Sequence, residues 1–141
     1  MTMTTTNPNS LSRDLAVQFL YQCESHKLFY FSPEDFETFC GLFNVPAAQR
    51  DYLLPLVRGT LSSINDLDEI ISKHSKNWKI TRMASTDRVV LRLATFEILE
   101  KMAPDKVILN EAIELAKRYG TEHSGSFVNG ILDAILAGQR T

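Results

Sequence analysis

Six basic residues fall between positions 73 and 92: Lys73, Lys76, Lys79, Arg82, Arg88 and Arg92, against one acid, Asp87. That stretch carries +5, the 141-residue chain carries −2, and everything outside the stretch therefore sums to −7. A cationic strip on an acidic body makes a local positive potential suited to phosphates arriving at one surface. The low net charge excludes a protein that holds nucleic acid through bulk positive charge. The plainer reading of such a run is a solvated linker between two helical halves.

Other reactive side chains are scattered. His26, His74 and His123 lie in three separate regions without ligand spacing to a cysteine or acid, so they read as surface or capping histidines and no metal site is expected. Cys23 and Cys40 lack CxxC spacing and a histidine partner, which makes them packing thiols of a cytoplasmic chain and not a disulfide. Catalysis needs a nucleophile, a base and a group that stabilises developing charge, held together. No such set stands out, and neither a Walker loop nor a dinucleotide-binding glycine pattern is present. The sequence reads as a binding protein with no catalytic residues and no cofactor.

The elements that must position the basic strip are helices. Leu11, Leu15, Ala16, Phe19, Leu20 and Cys23 form a stripe at helical period, cappable by Ser10 or Ser12. Ser32 can cap a short helix with Pro33 at its first position and Phe36, Phe39, Cys40 and Phe43 inside. Leu53, Val57, Thr60, Ile64, Leu67 and Ile71 predict one long helix, with Pro55 placing its start nearby. Val89 to Met102, capped by Ser85 or Thr86, is apolar nearly all round and reads as a central helix from which Arg88 and Arg92 share a face. Ala112, Ala116 and Tyr119 mark the next helix, which Gly120 is expected to end in a left-handed conformation. Ser124 or Ser126 caps the last, where Gly130 is expected to admit a neighbouring backbone. With no strand pattern of useful length and only six glycines, the chain is all-α, of six or seven helices. Residues 1–10, without charge or apolar core, read as a flexible tail. A single domain is expected over 11–141, with an N-terminal half of three helices at about 11–75 and a C-terminal half at about 76–138. No apolar run approaches the roughly 18 residues of a membrane span.

Order and spacing say more than any single motif. Asn110-Glu111-Ala112-Ile113-Glu114-Leu115-Ala116-Lys117, a glycine-ended turn, and Phe127-Val128-Asn129-Gly130 together resemble the close of the NusB family of bacterial transcription antitermination factors. The resemblance extends back through Asp87-Arg88-Val89-Val90-Leu91-Arg92 to Ala16-Val17-Gln18-Phe19-Leu20-Tyr21. It implies a NusB-like helical protein of two packed three- to four-helix bundles. It also implies binding of boxA-type single-stranded RNA in ribosomal RNA leaders, with a NusE-type small-subunit ribosomal protein, in an antitermination complex on RNA polymerase. Homodimerisation over the RNA face is a second assembly known among family members.

Single-stranded RNA needs positive groups for its backbone and flat side chains for its bases. The family's arginine-rich first helix is matched here by Arg13 alone, and Ser126 stands where a basic residue is usual before the phenylalanine. The RNA-binding residues expected are Arg13, Lys79, Arg82, Arg88, Arg92 and Phe127. The depleted arginine motif leaves a competing reading, a helical protein-interaction module with weak or no independent RNA binding.

Overall fold

A helix apolar on every side must be surrounded, and the stretch from Val89 to Ile98, in which every side chain is buried, is that helix. The computed structural model describes residues 8–139. Among these the chain forms α1 (Ser10–His26), α2 (Pro33–Leu42), α3 (Ala47–Ser62), α4 (Ile64–His74), a 3-10 turn (Ile80–Arg82), α5 (Ser85–Glu100), α6 (Asp105–Tyr119) and α7 (Ser124–Gln139). Helix α5 packs against α1, α3, α4, α6 and α7. Helix α2 joins the same core through an aromatic cluster, with the Phe19 ring edge-on to Phe36 at 5.8 Å and to Phe39 at 5.3 Å. One buried apolar cluster runs from Leu15 to Leu136. No helix of the described residues is long and apolar enough to cross a membrane.

Several local expectations need correcting. Four helices precede the basic linker, because the predicted long helix breaks at Ser63. The burial phase survives the break, with Leu53, Val57, Thr60, Leu67 and Ile71 all inside. Helix α3 begins at Ala47 and carries Pro55 in its interior. Proline there leaves the Asp51 carbonyl without its helical partner, and both residues are exposed, so water can take that bond. Helix α1 follows Asn9, and α5 follows Ala84 without a side-chain cap, so Ser10, Ser12, Ser85 and Thr86 lie inside their helices. The cap on α2 is as expected, Ser32 Oγ accepting from the Asp35 N–H at 3.2 Å. Most of the expected tail, residues 1–7, lies outside the described residues.

The glycines divide differently from their sequence reading. Gly120 is extended (φ −104°, ψ −153°), and the left-handed helix ends are Lys27 and Lys101 (φ 55° and 52°). What requires glycine at 120 is space, since a Cβ there would lie 2.2 Å from Ser124 Oγ. Gly130 is open, with nothing within 4 Å of a Cβ added there. The close approach is at Gly59, on which the Phe96 ring rests so tightly that a Cβ would fall 2.0 Å from its Cζ.

Alanine is therefore expected to act oppositely at the two helical glycines. Gly130→Ala should stabilise by about 0.5–1 kcal/mol through helix propensity, and Gly59→Ala should destabilise by about 1–3 kcal/mol through overpacking. Melting followed by circular dichroism measures both. A stabilised Gly59→Ala would show that Phe96 yields at no cost.

Candidate nucleic-acid interface

The six residues expected to meet RNA occupy three environments. Arg13, 1% exposed, enters the core from α1. Its Nε reaches both Glu97 carboxylate oxygens at 2.9 and 3.1 Å, and its Nη2 donates to Glu97 at 3.0 Å and to Tyr52 Oη at 3.1 Å. The Tyr52 hydroxyl in turn donates to Glu97. Burial, and then the neighbouring Glu97 carboxylate, push that hydroxyl far above its ordinary range and keep it protonated.

Arg88 and Arg92 share a helix face as expected, and that face is turned toward acids. Arg88 grips Glu24 with Nε and Nη2 at 3.0 and 2.9 Å. Arg92 donates to the same Glu24 at 3.0 Å and holds Asp68 through Nε and Nη2 at 2.7 and 2.9 Å. Its guanidinium also lies 5.7 Å from the Phe29 ring centre. Burial alone would raise the Glu24 carboxyl, but the Arg88 hydrogen bonds and the two guanidinium charges outweigh it and hold the group below its ordinary value.

Lys79 and Arg82 form the third set. With Lys73 and Lys76 they are exposed, and this part of the linker borders an open groove of about 690 Å³. Beside it Trp78, 56% exposed, stands edge-on to Phe127, ring centres 5.9 Å apart at 86°. The two rings, with Arg82, Asp87, His123 and Ser124, border a cleft of about 180 Å³. Asp87 is only 8% exposed, and its Oδ1 has no hydrogen-bond partner among the described residues. A buried acceptor left unmatched costs roughly 1–3 kcal/mol, and this oxygen lies behind the cleft surface, closed off from a molecule bound there.

Cations at the lip and two rings beside the cleft can take a phosphate and a flat base together. The structure thus brings Lys79, Arg82 and Phe127 to one place and sets Arg13, Arg88 and Arg92 in ion pairs elsewhere. Trp78 was not singled out from sequence. Its signal was available, since it is the one tryptophan of the chain and sits in a polar, basic stretch outside any apolar helical phase.

The cysteines take no part. Burial, then the nearby Asp35, pushes the Cys23 thiol up to about 11, and burial raises Cys40 as well, so neither is a ready nucleophile. Among the described residues no three His, Cys, Asp or Glu side chains gather as metal ligands would.

A family model described as the NusB family matches residues 10–137. The transcription antitermination protein NusB of Desulfitobacterium hafniense (strain DSM 10664 / DCB-2) is 42% identical over 127 residues, 89% of this chain and 86% of that protein. The protein of the same name from Salinibacter ruber is 53% identical over 88 residues, 62% of this chain and 55% of its own length. Among solved structures, T. maritima NusB superimposes with a TM-score of 0.79 at 36% identity, over 94% of this chain and 93% of its own. A chain from the structure of antitermination factors NusB and NusE in complex with dsRNA gives 0.81 at 28% identity, over 92% of this chain and 96% of its own.

The Glu24 cluster sets a pH dependence. A carboxyl lowered in the folded state contributes stability that is complete above its unfolded pKa, about 4.3. That stability is lost as pH falls through the lower folded value. Wild-type melting temperature should therefore drop on acidification below about pH 4, and Glu24→Gln should start lower at neutral pH and fall less across that window. Parallel curves for the two proteins would count against Glu24 as a source of the acid sensitivity.

Proposed function

The chain belongs to the NusB family, and from that membership we propose that it acts as a transcription antitermination factor, binding boxA-type single-stranded RNA of ribosomal RNA leaders together with a NusE-type small-subunit ribosomal protein. Its role is to bind and not to catalyse. It works in the cytoplasm, where the antitermination complex forms on RNA polymerase.

The observation that carries the RNA reading is the meeting of the exposed cationic linker with the Trp78–Phe127 edge. Lys79 and Arg82 attract phosphate, and Phe127 and Trp78 border a base-sized cleft. Arg88 and Arg92 support this surface from within, because their guanidinium groups are engaged with acids of the chain itself, and Arg13 is likewise engaged with Glu97 toward the far end of α5. The match to a NusB chain solved with NusE and dsRNA supports the ribosomal-protein partner.

One observation favours the second reading, a protein-interaction module with weak independent RNA binding. Arg13, the one residue left of the arginine motif, lies in the interior. The heterodimer then supplies charge that this chain lacks.

Titrating boxA-type RNA and a scrambled control at two salt concentrations, with and without the NusE-type protein, tests both readings. Selective binding that strengthens with the partner is expected, and absence of selectivity under every condition would leave a NusB fold engaged only with proteins. Each phosphate contact on a single strand contributes about 0.7 to the slope of log K against log salt. Replacing Lys79 and Arg82 by alanine together should flatten that slope by about 1.4. Phe127→Ala should weaken binding by about 1–3 kcal/mol with little change of slope, as expected for a lost stacking contact.

A further inference from the structure

The cationic linker has little of its own to hold it in shape. Between α4 and α5 it is one 3-10 turn, and of residues 75–84 only Ser75 and Met83 are buried. Its backbone bonds are local, such as Arg82 N–H to the Lys79 carbonyl at 2.9 Å and Met83 N–H to the Ile80 carbonyl at 3.3 Å. Lys76, Lys79 and Arg82 repel one another along it.

From the first turn of α5, Arg88 reaches back into this segment. Its Nη1 donates to the carbonyls of Ile80 at 2.9 Å and Met83 at 2.7 Å, on either side of Arg82. Its opposite edge lies on Glu24 of α1 at 3.0 and 2.9 Å, and Nη2 also meets Ser85 Oγ at 3.5 Å. A guanidinium has five N–H donors, and these five contacts use them all. Glu24 is itself steadied by Arg92 at 3.0 Å.

We propose that Arg88 is a positioning residue for RNA binding, which, anchored on Glu24, clamps the carbonyls of Ile80 and Met83 and so presents Trp78, Lys79 and Arg82 as a preformed surface without touching a phosphate. The proposal rests on the RNA reading above. The clamp requires a flat fork that binds a carboxylate along one edge and two carbonyls along the other. Lysine, a point charge with three donors on a flexible stem, serves one side only. A clamped linker enters the complex already ordered, so less conformational freedom is lost when RNA binds.

The test uses the full chain with its NusE-type partner, boxA-type RNA, and the variants Arg88→Ala, Arg88→Lys and Glu24→Gln. Affinity is measured across salt, and acrylamide quenching of Trp78, the single tryptophan, reports the linker in the free protein. Circular dichroism checks that each variant remains helical. Arg88→Ala should weaken RNA binding about tenfold at unchanged salt slope, with Trp78 quenched more readily, and Arg88→Lys should fail to restore either. Glu24→Gln removes a negative charge, so electrostatics alone would tighten binding; weaker binding with increased quenching is the expected result. This variant also keeps the test open if Arg88→Ala does not fold.

A slope flatter by about 0.7 with Trp78 unchanged, or full rescue by lysine, would make Arg88 a phosphate ligand and overturn the proposal. Unchanged affinity in all variants would overturn it alone. No RNA binding by the wild-type complex would overturn the RNA reading and the proposal together.

Discussion

Two sets of ion pairs fix how α1 lies against α5. Arg13, near the start of α1, meets Glu97 near the end of α5, and Glu24, near the end of α1, meets Arg88 and Arg92 in the first half of α5. The pairings run in opposite order, so the two helices are antiparallel and latched at both ends. Hydrophobic burial supplies the driving force, about 1.5–3 kcal/mol for each large side chain removed from water. Burial is non-directional, however, and a helix apolar all round could slide or turn with little loss. Buried ion pairs contribute little net stability, yet removing one partner costs roughly 3–5 kcal/mol. They therefore act on register more than on total stability. The position of the linker, which leads straight into α5, follows from that register.

This arrangement divides the arginines from the lysines. A guanidinium can hold a carboxylate along one edge while serving carbonyls or a second acid along the other, and Arg13, Arg88 and Arg92 all sit at such junctions. An ammonium is harder to strip of water, and the three lysines of the strip remain exposed with Arg82. Of six basic residues between 73 and 92, two are tied internally and four face solvent.

That division explains what could be read from the sequence. Apolar periodicity located most of the inner faces of α1 to α5, though Leu11 and Phe43, expected inside, are 47% and 44% exposed, and it kept its phase across the break at Ser63, because burial follows side-chain order whether or not the backbone is continuous. Helix ends were less legible: Ala84 and Pro46 precede helices without a side-chain cap, and Lys27 and Lys101 end helices left-handed where glycine is the usual choice. Gly59 and Gly130 look alike in sequence, and only the tertiary position of Phe96 separates them. The candidate site was half legible for the same reason. Residue type shows that a side chain is charged, but whether an acid such as Glu24, 64 positions away from Arg88, has claimed it is decided by packing.

With four cations exposed on the strip, the salt sensitivity of a complex on this surface can be sized. If each met one phosphate of a single strand, the slope would be about 2.8, and affinity would change about 50-fold between 50 and 200 mM salt, roughly 2.3 kcal/mol. One base stacked on an aromatic side chain contributes about 1–3 kcal/mol. On the proposed RNA reading, a salt change of that range thus shifts binding by about as much as one stacked base contributes. The charge is also blind to sequence, since every phosphate is alike. On the RNA reading proposed above, selectivity then falls to the cleft beside the Trp78 and Phe127 rings, which can admit a flat base. On the same reading, a modest net charge keeps non-specific binding weak and leaves a larger share of the binding energy to groups that distinguish one base from another.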